Sequence, residues 1–104
     1  MTVAQLKRQI EPGQTIECTD AKWYSNGQVS ESGVPERMQG LRTVTLKNTV
    51  GFYLNPTPED GKRGSFCDWP RADELEELTD TTFVIASKNS NGEVWNRRSY
   101  LIAA

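Results

Sequence analysis

Apolar residues in this chain recur at every second position within short runs, and each run stops at a cluster of Gly, Asn, Pro or Ser. A period of two puts successive side chains on opposite faces of a strand, so the chain is committed to half-buried sheet rather than to a helical bundle. Ile16 and Cys18 oppose Thr15, Glu17 and Thr19, which predicts a first strand running to about Trp23 or Tyr24. Val44 and Leu46 oppose Thr43 and Thr45, and Val50, Phe52 and Leu54 oppose Gly51, Tyr53 and Asn55, which predicts a hairpin over 41–55. A short strand is expected over 65–69. Strands over 81–87 and 93–102 form a last hairpin, because the turn Asn89-Ser90-Asn91-Gly92 readily supplies positive φ angles. The amino end breaks the pattern. There Val3, Leu6 and Ile10 follow helical spacing behind a capping box of Thr2 and Gln5, and Pro12-Gly13 ends it. So short a helix needs support and should lie on the sheet as a lid.

Two segments read as loops. Residues 25–39 are rich in Ser, Gly, Asn, Gln and Glu, with only Val29, Val34 and Met38 to bury, and residues 55–64 hold two prolines, two glycines and four charges. After Trp69, Pro70 permits a helix start, and Ala72, Leu75 and Leu78 give one apolar side to an acidic helical turn. Six strands, a helix and a helical turn in 104 residues, of which 36% are apolar, suit one domain over 1–104. The expected fold is mainly β: a small SH3-like or partly open β-barrel with a short N-terminal helix and one short acidic helical turn. An oligonucleotide-binding-type barrel comes second. Closure would also remove the sheet edges.

There is no histidine, which removes the commonest general base and metal ligand together. Cys18 and Cys67 are too few for a structural zinc site, so no metal is expected, and both thiols are expected to be reduced and buried. Gly61-Lys62-Arg63-Gly64 lacks the spacing of a phosphate-binding loop, and no cofactor is expected. An enzyme would have to run on carboxylates such as Asp68 with Glu59 or Asp60, and catalysis is not expected. No apolar run is long enough to span a bilayer and the amino end lacks the features of a signal peptide, so the expected location is cytoplasmic, without a membrane partner. Twelve basic and 14 acidic residues give a net charge of −2, too little field to draw in a phosphate backbone at long range.

The segment Ser65-Phe66-Cys67-Asp68-Trp69-Pro70-Arg71-Ala72-Asp73-Glu74-Leu75-Glu76, preceded by Gly61-Lys62-Arg63-Gly64, is followed by Thr82-Phe83-Val84-Ile85 and Tyr100-Leu101-Ile102. Together with Thr15-Ile16-Glu17-Cys18 behind Pro12-Gly13, it resembles small uncharacterised proteins encoded by bacteriophages. The resemblance implies an accessory protein that binds and blocks a host protein, in host takeover or counter-defence, and it implies no active site.

Candidate interface residues are Trp69 and Arg71, an aromatic beside a cation, and the acids Glu74, Glu76 and Glu77 within the block 73–80. Trp95 and Arg97 join them, sharing one face of the last strand opposite Tyr100 and Ile102. A second reading takes Tyr53, Lys62, Arg63 and Trp69 as a stacking and charge platform for nucleic acid. A third takes the protein as a virion or assembly component.

Overall fold

The structure is a computed structural model that describes residues 1–55 and 65–103. Thr2 caps helix α1 (Val3–Gln9): its hydroxyl accepts from the Gln5 N–H at 3.1 Å, and the Gln5 side chain accepts from the Thr2 N–H at 2.7 Å. Leu6 and Ile10 are fully buried, so the helix forms a lid on the sheet, and Lys47 Nζ ties it down by donating to the Lys7 carbonyl at 2.8 Å.

The strands are β1 (Thr15–Ser25), β2 (Gln28–Ser32), β3 (Leu41–Lys47), β4 (Gly51–Leu54), β5 (Ser65–Asp68), β6 (Leu75–Leu78), β7 (Thr82–Lys88) and β8 (Val94–Ala103). They form one antiparallel sheet in the order β5-β4-β3-β1-β8-β7-β6, with β2 beside the far half of β1. The sheet is not closed. Among the described residues, strands β5 and β6 end this order, each four residues long, and β2 pairs with β1 alone.

Single-residue bulges curl the sheet. Cys18 faces Tyr100 while Asp20 faces Ser99, which leaves Thr19 as an extra residue in β1. By the same reasoning Ser30, Thr45, Glu76 and Trp95 are extra residues in β2, β3, β6 and β8. Each bulge adds local twist and bend, which turns one face inward around Phe52, Phe83, Ile16, Ile85 and Val44.

Three expectations need correction. Residues 25–39 are not an irregular loop: Asn26 (φ 52°) and Gly27 (φ 78°) make the tight turn that pairs β2 with β1, and a 3-10 turn (Glu36–Met38) follows. All five β2 side chains are exposed, so the strand has no apolar rhythm to show. Secondly, the acidic helical turn is a three-residue 3-10 turn (Ala72–Glu74) that runs straight into β6. The bulge at Glu76 lets Leu75 and Leu78, three apart, both pack inward, and so imitates helical spacing. Finally, the bulge at Thr45 turns Leu46 outward, 52% exposed, and Val50 is also exposed. The expected loop over 55–64 lies outside the described residues, apart from Asn55.

Candidate functional site

Arg97 shows how the outer face is held. Its guanidinium is gripped by both Glu76 oxygens, at 2.5 and 2.7 Å, and donates to the Tyr24 hydroxyl at 2.7 Å. Beneath this span Ala86, the neighbour of Arg97 in the register, is fully buried. The hydrogen bond from Arg97 holds the Glu76 carboxyl below its ordinary pKa, and the same bond raises that of Arg97. Two candidate interface residues therefore satisfy each other in a bidentate pair.

Because the Glu76 pKa is lowered in the fold, its contribution is present above the ordinary carboxylate value of 4.5 and fades as pH falls below it. Both side chains are about one third exposed, so solvent screening keeps the pair small. Glu76→Gln is expected to cost about 0.5–1 kcal/mol at neutral pH, with the difference from wild type shrinking as urea unfolding is repeated below pH 4.5.

Glu74 also serves the fold. Burial opposes its ionised form, but the backbone N–H groups of Arg71 and Lys88, at 2.9 and 2.8 Å, together with the Arg71 guanidinium outweigh burial and lower its pKa. Arg71 is exposed beside Asp73 and Glu74. Glu77 is exposed on β6. Trp69 belongs to the core side: its ring lies 5.2 Å from that of Phe52 and its indole N–H donates to the Asn48 carbonyl at 2.8 Å. Trp95 stands 47% exposed, on the bulge of β8. Tyr53 is exposed and its ring lies 4.6 Å from that of Phe66, its register partner on β5. Lys62, Arg63, Glu59 and Asp60 lie outside the described residues, and Asp68 is exposed.

Among the described residues, two cavities meet at Arg98. The inner one, of about 330 Å³, is bordered by Arg42, Arg98, Ser65, Tyr100, Cys18 and Cys67 among apolar neighbours. The outer one, of about 440 Å³, is bordered by Phe66, Trp69 and Trp95, with Asp68, Glu74, Lys88 and Arg98. Both cysteines are free and buried. Burial pushes the Cys18 thiol up to about 11, and burial likewise raises those of Cys67 and Tyr100, so all three are neutral at physiological pH. Among the described residues, no group of three or more His, Cys, Asp or Glu side chains could hold a metal ion. No helix among them is long and apolar enough to cross a membrane.

Sequence reasoning missed Phe66 and Arg98 as site residues, and it missed the burial of Arg42. The signal was available in the alternation: Arg42 shares the parity of buried Val44, and Arg98 that of Tyr100 and Ile102. No family model, curated protein or solved structure matches the chain.

Proposed function

We propose that the protein is a non-catalytic binding domain, a partly open barrel of SH3-like design, that acts by occupying a protein partner at its outer cleft. The observation that carries this reading is an exposed aromatic pair across one cleft: Phe66, from the edge strand β5, and Trp95, from β8, both border the outer cavity and are 41% and 47% exposed. Large aromatics beside a concavity have the composition of interface anchors. Edge strand β5 adds backbone groups on which an extended segment of the partner can pair. Following the phage resemblance, the partner is a host protein in the host cytoplasm and the effect is steric blocking. The acids of 73–80 contribute little attraction in this reading, since Glu74 and Glu76 are engaged within the fold.

The test is affinity capture from bacterial lysate, with and without nuclease, comparing the wild type with a Phe66→Ser/Trp95→Ser variant. The expected result is one stoichiometric, nuclease-resistant protein whose recovery falls at least about tenfold with the variant, as removal of two anchor aromatics implies. Equal recovery by the variant would remove the cleft from the reading. Captured material that vanishes with nuclease would instead favour base stacking on the exposed Tyr53–Phe66 pair.

A further inference from the structure

Arg98 projects into the concave side of the sheet, at the parity of Asn96, Tyr100 and Ile102. Its contacts there are sparse and neutral. One terminal nitrogen donates to the Tyr100 hydroxyl at 3.2 Å, the other to the Ser87 hydroxyl at 3.4 Å, and its buried Nε has no hydrogen-bond partner. Among the described residues no carboxylate lies within 4.0 Å of it, in contrast to Arg97 one position earlier. A half-buried guanidinium held only by two hydroxyls and the Tyr100 ring, 5.8 Å from its centroid, keeps donor capacity to spare, and an anion received on its planar fork would use it.

The two cavities that meet at Arg98 differ in their charged lining. In the outer one Asp68 and Glu74 offset Lys88 and Arg98. The described lining of the inner one contains no carboxylate and includes a second cation, Arg42, 3% exposed, whose Nη1 and the Ser65 hydroxyl are joined at 2.5 Å. Cys18, Cys67 and Tyr100 are neutral and bring no competing negative charge. The rest of the wall, including Ile16, Leu54 and Met38, is apolar, and about 330 Å³ is the size of a small-molecule site.

We propose that the inner cavity binds a small carboxylate with an apolar body, its carboxylate on the Arg98 fork and its body against Ile16 and Leu54. Arg98 carries the assignment. The proposal is separate from docking at the outer cleft, because it rests on Arg98 and not on Trp95, although Phe66 borders both cavities.

The experiment is NMR titration of the uniformly 15N-labelled chain with benzoate, with benzamide as its neutral near-isostere and with inorganic phosphate. A nine-heavy-atom fragment binds with a Kd on the order of 1–10 mM, so titration to about 50 mM covers the range. Expected are saturable shifts at the backbone amides of Ile16, Leu54, Arg98 and Tyr100 with benzoate and none with benzamide. Arg98→Gln should weaken benzoate at least about tenfold. The wild-type comparison of benzoate with benzamide stands even if that variant fails to fold. Equal shifts from both compounds, saturation by phosphate but not by benzoate, or no shift at these amides would each overturn the proposal. So would undiminished binding to folded Arg98→Gln.

Discussion

Phe83→Ala is expected to lower the free energy of unfolding by about 4 kcal/mol, read as a fall in the urea midpoint with an unchanged slope. Phe83 has no solvent exposure and sits on β7, where it pairs with Tyr100 on one side and Leu78 on the other. Its ring lies parallel to that of Tyr100, at 17° and 4.8 Å between centroids. Truncation would therefore remove a whole buried ring and leave a void between two strands that hold each other in register. A domain of this size is stable by about 5–15 kcal/mol, so one such change consumes a large share of the total. Tyr53→Ala, at an exposed ring on β4, provides the comparison and should cost less than about 1.5 kcal/mol. If the two variants lost similar stability, the placement of Phe83 at the centre of the core would be wrong.

How far the fold was legible depended on whether an element is held by side chains or by backbone. Helix α1 and the β3–β4 and β7–β8 hairpins announce themselves because their apolar residues face a core, and the capping box and the Asn-Gly turn mark where they begin or reverse. Strand β2 buries none of its side chains and is held by its ladder to β1, so only the Asn26-Gly27 turn betrays it. Bulges are harder still. One extra residue inverts the parity of everything beyond it, which put Leu46 on the wrong face and made Leu75 and Leu78 look helical.

The candidate site was legible to a lesser degree, for a related reason. Alternation groups Trp95 with Arg97 on one face of β8 without saying which face meets solvent, and the structure exposes Trp95 at a bulge. The partnership of Glu76 with Arg97 does not follow, because it depends on the register of three strands and on a bulge that points the carboxylate at its partner. Nor does the difference between Arg97 and Arg98. Two adjacent arginines look alike in a sequence, yet alternation sends one to the solvent face, where an acid meets it, and the other to a concave face where no described acid lies within 4.0 Å.

Gly51→Ala is the second large effect, and it reaches from stability to binding. Gly51 starts β4 and pairs with Asp68 on β5, and a Cβ on it would lie 2.1 Å from the Cys67 carbonyl oxygen and 2.9 Å from the Cys67 carbonyl carbon. The Phe66 ring, at 2.8 Å, could swing aside, but the Cys67 carbonyl is part of the neighbouring strand and can withdraw only if β5 moves away from β4. Overpacking of this kind costs about 1–3 kcal/mol where side chains give way and more where backbone must, so a loss of about 3 kcal/mol or more is expected. The damage should be local as well. Amide exchange should quicken across β4 and β5 before it does in β7 and β8, because β5 ends the strand order and, among the described residues, pairs with β4 alone. If the opposite were found, with stability rising by about 0.4–1 kcal/mol as the alanine restricts the unfolded chain, the close approach of the two strands would be disproved. Since Phe66 rides on β5, a displaced β5 should also weaken capture of the partner without altering any residue proposed to touch it. Wild-type capture by a variant shown to have lost β5 protection would mean that the partner reads the Trp95 side of the cleft alone.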